Sequence, residues 1–126
     1  MKGSVVLILD EQGRLLLLKR SMKSRWMPGK WGLPGGKIER GENAKGAAIR
    51  ETKEETDLDL KAPDVKHIAR YSNKTVDFFY AKSYTGEVRI DFEHDDFEWV
   101  ARTDINYYDT VPDLIEKFDW ILNNER

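Results

Sequence analysis

Three glutamates, Glu51, Glu54 and Glu55, stand three and four positions apart, the spacing that sets side chains beside one another on one face of an α-helix. Carboxylates so placed repel, by a few tenths of a kcal/mol per pair on a solvated face. Clustered carboxylate oxygens are also what a hard cation such as Mg²⁺ takes when it shares its shell with substrate phosphates. Energy alone leaves both outcomes open, a solvated acidic helix end or a cation site. Placed at 100° per residue, Ala44, Ala47 and Ala48 define one face, and Glu51, Glu54 and Glu55 continue it within an arc of about 100°. Alignment of the acids with a small-residue packing face favours the cation site. Arg50 lies about 40° from Glu54 on the wheel and is adjacent to Glu51, so it can hold one carboxylate while others bind metal. Upstream, Leu33-Pro34-Gly35-Gly36-Lys37 offers two glycines that let backbone approach a ligand closely.

The elements that must position these residues are legible in outline. Ser4–Leu9 and Arg14–Lys19 are nearly continuous apolar runs joined by Asp10-Glu11-Gln12-Gly13, as expected of strands covered on both faces. Arg20–Lys30 reads as a polar loop, and Trp31–Glu39 as a short strand broken by a tight turn. A helix is expected over Ala44–Thr56, with Asn43 as N-cap and Asp57 at the exit. Further strands are expected around Val65–Tyr71, Val76–Ala81, Glu87–Ile90 and Phe97–Val100. Val111-Pro112-Asp113 opens a last helix to about Asn123, with Leu114, Ile115, Phe118, Ile121 and Leu122 at helical spacing. Interleaved strands and helices give an α/β fold with a mixed sheet, in a single domain spanning 1–126.

Charge is unevenly spread. The net charge is −2, yet Gln12 to Ile38 contains no carboxylate and carries Arg14, Lys19, Arg20, Lys23, Arg25, Lys30 and Lys37. A cationic stretch in an otherwise acidic chain suggests a local anion site or a solvated basic loop. The overall acidity argues against a general nucleic-acid binder. There is no cysteine, hence no disulfide and no thiolate metal site. No apolar run reaches the ~18 residues of a membrane span, and the first residues lack the pattern of a signal peptide. A cytoplasmic location is expected.

Gly36 to Leu58 reads GKIERGENAKGAAIRETKEETDL. This resembles the Nudix box: Gly, five residues, Glu, seven residues, Arg-Glu, an aliphatic, one residue, Glu-Glu, one residue, Gly and an aliphatic. Gly36, Glu42, Arg50, Glu51, Glu54, Glu55 and Leu58 match. Thr52 stands where the motif has an aliphatic, and is expected in partly buried space. Asp57 replaces the closing glycine, and a left-handed Asp there would cost ~1 kcal/mol. The resemblance implies a Nudix-like α/β/α sandwich around a central mixed sheet, similar to small MutT-like members.

It further implies a magnesium-dependent hydrolase, with Mn²⁺ as an alternative, that cleaves a diphosphate linkage in a nucleotide-like substrate. By that resemblance Glu54 and Glu55 bind metal with the Gly35 carbonyl, and Glu51 binds metal or acts on the attacking water. Arg50 orients Glu51, Lys37 contacts phosphate, and Glu42 is structural. A later-loop acid often completes such sites; Glu93 is chosen, with Asp95 and Asp96 as rivals and His94 expected at the surface. Arg20, Lys23, Arg25 and Lys30 would meet outer phosphates. Trp26, Trp31, Tyr71, Phe79 and Tyr107 are the aromatic candidates for contact with a base.

The favoured substrate is a (deoxy)nucleoside triphosphate cut to monophosphate and pyrophosphate. Dinucleoside polyphosphates, nucleotide sugars, capped RNA 5′ ends and a catalytically inactive nucleotide sensor are the alternatives. No membrane partner is expected, and the chain would act as a monomer or homodimer.

Overall fold

In the computed structural model, which describes residues 2–125, the chain adopts an α/β fold of seven strands and two α-helices among the described residues. The ends of the expected domain, Met1 and Arg126, lie outside them. The strands are β1 (Gly3–Ile8), β2 (Leu15–Arg20), β3 (Trp31–Gly32), β4 (Gly35–Lys37), β5 (Val65–His67), β6 (Val76–Ala81) and β7 (His94–Val100); the helices are α1 (Ala44–Thr56) and α2 (Leu114–Asn124). The β-structure is divided between two sheets. A mixed sheet has the order β4-β1-β6-β5, with β1 parallel to β6, and an antiparallel sheet has the order β3-β2-β7.

The continuous apolar runs of β1 and β2 are buried on both faces. Leu7, Leu9, Leu15 and Leu17 point into one core with Leu114, Phe118 and Ile121 of α2. Val6, Ile8, Leu16 and Leu18 point into a second core with Ala48 of α1 and Leu58. The period of two along each strand thus sends alternate residues to opposite helices. The β-layer lies between α1 and α2, the three-layer arrangement expected. Among the described residues no helix is long and apolar enough to cross a membrane.

Helix α1 begins at Asn43, whose side chain accepts from the Gly46 N–H at 2.7 Å, and ends at Asp57 in the left-handed conformation, φ 64°. Its buried residues are small or polar, namely Ala47, Ala48, Thr52, Glu55 and Thr56. Ser4 Oγ of β1 donates to the Ala44 carbonyl at 2.8 Å, so the helix start is fastened against the sheet. Thr52 corrects the expectation of partial burial. It is wholly buried, and its hydroxyl has no partner among the described residues.

Two strand expectations are also corrected. The Val65–Tyr71 strand stops at His67, because the chain turns there: Tyr71 and Ser72 N–H both return to the Ile68 carbonyl. Glu87–Ile90 is not a strand. The Arg89 and Asp91 N–H groups donate instead to the Thr56 and Glu55 carbonyls, at 2.8 and 3.2 Å. These are carbonyls of the last turn of α1, which a helix leaves unpaired. The segment's backbone donors go to a helix end rather than to a neighbouring strand, and this docks the following loop on the acidic end of α1.

Candidate active site

The acidic face of α1 meets β4. Glu55 is 3% exposed, and its Oε1 accepts from the Gly35 N–H at 3.4 Å. Glu51 lies against the next glycine, so that a Cβ built on Gly36 would fall 2.6 Å from the Glu51 carboxyl carbon. A Cβ on Gly35 would fall 2.4 Å from the Ser4 carbonyl oxygen. Any larger residue at either position would push β4 away from β1 or from the carboxylates. The two glycines therefore set how closely the helix acids approach the strand.

Glu51 and Glu55 are brought within hydrogen-bonding reach of each other. The Glu55 carboxyl titrates far above its ordinary value, first because it is buried, then because Glu51 and the Asp91 charge stand beside it; the Gly35 N–H acts in the opposite direction. A like-charged pair at this depth cannot ionise fully without a counter-charge.

Arg50 organises the remaining acids. Its Nε and Nη2 donate to Glu42 Oε2 and Oε1 at 2.7 and 3.0 Å, the bidentate geometry of a guanidinium on a carboxylate. Its Nη1 donates to Glu51 Oε1 at 3.0 Å and to Glu54 at 3.2 Å, and Nη2 also donates to the Lys37 carbonyl at 3.0 Å. The paired guanidinium holds the Glu42 carboxyl below its ordinary range, helped by the Glu39 N–H. One arginine thus ties α1 to the preceding loop and to β4 while fixing Glu51. Among the described residues Glu54 is joined to Glu51 only through Arg50, and it remains more than half exposed.

The docked loop contributes Asp91 and His94. His94 Nδ1 stands 2.8 Å from Asp91 Oδ1, and Nε2 stands 3.9 Å from Glu55 Oε1, with only 4% of the imidazole exposed. This corrects the surface position expected for His94. Glu93, the acid chosen from the sequence, is exposed and lines a groove with Arg20, Lys23, Arg25, Trp26 and Phe92. Asp95 Oδ2 accepts from the Met22 N–H at 3.3 Å, and Asp96 Oδ1 accepts from the Phe97 N–H at 2.8 Å. The loop acid beside Glu55 is Asp91. Sequence reasoning passed over it because it directly follows the segment read as a strand, Glu87–Ile90, and precedes the acidic run Glu93–Asp96 from which the loop acid was chosen. No local pattern marks it, since the loop reaches Glu55 through backbone bonds to the end of α1.

Gly35, Gly36 and Lys37 also border a second feature, a cavity of about 640 Å³ whose walls include Val5, Leu33, Phe78, Val111 and Leu114. Its rim carries Arg20 and Trp26, stacked with the guanidinium 5.0 Å from the ring centroid. Arg20 is held in place by the Trp26 carbonyl and Ser24 Oγ, each at 2.7 Å. Lys30 is paired with Asp109 at 2.8 Å. Arg25 and Lys37 are exposed at the groove and the cavity edge.

Of the aromatic candidates only Trp26 reaches the cavity. Phe79 is buried in the α1-side core, and its neighbour Phe78 faces the cavity. Trp31 packs edge-on against Tyr108, and Tyr71 against Trp120. Tyr107 is 87% exposed.

As they stand, no three of the described His, Asp and Glu side chains converge on one point as a ligand set. The donor chemistry nevertheless fits a hard divalent cation. Two facing acids, Glu51 and a Glu55 whose carboxyl is pushed up first by its burial and then by Glu51, are what such an ion would neutralise.

The chain is similar to known proteins over nearly its whole length. The family described as NUDIX domain matches residues 2–121. An uncharacterized Nudix hydrolase, YvcI, of Bacillus subtilis is 30% identical over 114 residues, covering 83% of this chain and 69% of the relative. A protein named nucleoside triphosphatase NudI, of Enterobacter, is 29% identical, covering 81% of this chain and 83% of the relative. Among solved structures, the MutT protein of Methanosarcina mazei superposes with a TM-score of 0.75 at 30% identity, covering 98% of this chain and 95% of that one.

Proposed function

Because the chain belongs to the Nudix family of pyrophosphohydrolases, we propose that it hydrolyses a nucleoside triphosphate to the monophosphate and pyrophosphate with the help of Mg²⁺. The observation that carries this reading is the double use of Gly35 and Gly36. They touch Glu51 and Glu55 and they also border the apolar cavity. A ligand ring in the cavity would place its phosphates beside the carboxylates. The resemblance to a relative named as a nucleoside triphosphatase supports the choice of substrate.

In this reading Glu51 and Glu55 hold the metal with Glu54 and the Gly35 carbonyl. A bound Mg²⁺ would neutralise phosphate charge and lower the pKa of water. Every other part of the reaction falls to the chain. Arg50 keeps Glu51 in place, and where Glu51 does not ligate the metal it takes the proton of the attacking water, a contribution of about 10²–10⁴-fold. Glu93 is the alternative base if the basic groove closes over the phosphates. Asp91 and His94 keep Glu55 in place from behind. Lys37 and Arg20 meet phosphate oxygens at the cavity edge and Arg25 from the neighbouring groove, with Lys30 as a further contact.

The test is incubation with Mg²⁺ and a panel of nucleoside triphosphates, dinucleoside polyphosphates, nucleotide sugars and capped RNA, with products identified by mass. Monophosphate and pyrophosphate from a triphosphate are expected. Release of single phosphates, or turnover confined to another substrate class, would overturn the assignment.

A further inference from the structure

The cavity contains a charge that the reading above leaves unused. Lys117, on α2, is 8% exposed and lines the cavity together with Phe78 and Leu114. Its Nζ donates to the Asp113 carbonyl at 3.1 Å and lies 4.6 and 5.3 Å from the ring centroids of Phe78 and Tyr71. An ammonium has three donors and no acceptor. Among the described residues only one of those donors meets an oxygen, and no carboxylate lies within ion-pair distance. The group also sits in the first turns of α2, where the helix dipole disfavours a cation. A packing role would be filled more cheaply by Met or Leu, since burying an incompletely bonded charge opposes folding. The arrangement fits a donor kept ready for an acceptor on a ligand.

Asp113 also lines the cavity and its charge acts on the ammonium, but the remaining walls near Lys117, Phe78, Val111 and Leu114, are apolar and aromatic, suited to a ring rather than to a phosphate. On the reading that this ligand is a nucleotide, we propose that Lys117 determines base preference by donating to the ring carbonyl oxygen of keto bases. Guanine and hypoxanthine carry an oxygen at position 6 and uracil one at position 4. Adenine and cytosine carry an amino group at the corresponding positions, which turns donors toward the ammonium. A charge-assisted hydrogen bond to the first group and two opposed donors in the second give discrimination without any new element of the fold.

The experiment measures kcat/KM with Mg²⁺ for GTP, ITP, UTP, ATP and CTP, and in parallel titrates GMP, UMP, AMP and CMP directly, for wild type and Lys117→Met. Met retains the stem and removes the donors. Wild type is expected to favour the keto bases by roughly ten- to a hundredfold, mainly through KM. Lys117→Met is expected to abolish that preference while leaving ATP and CTP within about threefold. Hydrolysis with no keto preference, or an equal loss on all five substrates (the signature of a phosphate contact), overturns this inference and leaves the hydrolase reading intact. Selective, Lys117-dependent binding of GMP and UMP without hydrolysis of any triphosphate upholds it and removes the hydrolase reading. Binding of no nucleotide overturns it. Should Lys117→Met fail to fold, the wild-type preference decides.

Discussion

The two helices flank the same β-layer and each breaks the rule that a packing face is apolar, but they break it with opposite charges. Helix α1 buries the acid Glu55 and α2 buries the cation Lys117. Around Glu55 the polar groups are densely connected: Glu51, the Gly35 N–H, Asp91 and His94 surround it, and Arg50 secures Glu51 from outside. Around Lys117 there is one carbonyl and two aromatic faces. In the proposed reading the acid end completes itself with a cation and the basic end with an acceptor. A nucleotide with metal-bound phosphates at one end and a base at the other has that polarity.

The sharpest way to break this contrast is Glu55→Gln. Metal-dependent turnover is expected to be nearly abolished, because a carboxylate ligand of the cation is lost. The fold should survive, because Gln is isosteric with the protonated acid that Glu55 becomes when no cation is present. Thermal melts check both halves. Wild type should gain stability on adding Mg²⁺, about 2.7 kcal/mol at a hundredfold excess over Kd, and Glu55→Gln should gain almost none. Full activity in this variant would remove Glu55 from the chemistry.

Next in size is Arg50→Lys. The charge is kept, but the fork that spans Glu42, Glu51 and the Lys37 carbonyl is lost. Activity is expected to drop roughly 10–100-fold, as for residues that orient a metal ligand. Stability should fall by ~2 kcal/mol through the lost charge-assisted bonds. Loss of stability with unchanged kcat would make Arg50 a fastening of the fold and nothing more.

On the opposite side of the layer the sign reverses. Lys117→Met should raise stability by ~1 kcal/mol, seen as a Tm higher by a few degrees, because burial already holds the Lys117 ammonium below its ordinary pKa. A lower Tm would mean that the ammonium stabilises the native packing. It would then need no ligand to account for its place.

The same contrast explains what could be read from the chain. The two doubly buried strands, α1 with its caps and the acid face aligned with alanines follow from local patterns that the tertiary structure respects. Lys117 was missed because the apolar stripe of α2 was read without the cation inside it. Taking 100° per residue from Leu114, Lys117 falls about 60° behind it and about 40° from Ile121, within the packing face, so the signal was present. Asp91 and His94 were less accessible. They reach Glu55 only because Arg89 and Asp91 pair with the last carbonyls of α1, a non-local hydrogen bond that no periodicity announces. Thr52 looked partly buried for a similar reason. Its depth depends on how closely α1 approaches the sheet, which Gly35, Gly36 and Ser4 decide.

The smallest effect concerns how the helices meet the chain. Asp57 leaves α1 and Asp113 enters α2 in almost the same left-handed conformation, φ 64° and 68°. At the start of α2 a negative charge complements the helix dipole, whereas at the end of α1 it opposes it. Lys53 offsets this by pairing with Asp57 at 3.1 Å, a half-exposed contact that solvent screens. Asp57→Gly would relieve ~1 kcal/mol of backbone strain but would lose that pair and add ~0.5 kcal/mol of unfolded-chain entropy. The net change is expected to lie within about 0.5 kcal/mol of zero. In a Lys53→Met background, where the pair is already absent, the same substitution should be more favourable than in wild type, read as a larger rise in Tm. High salt should shrink that difference. Equal effects in both backgrounds would show that Lys53 does not offset the charge of Asp57, and that the aspartate is tolerated there on backbone grounds alone.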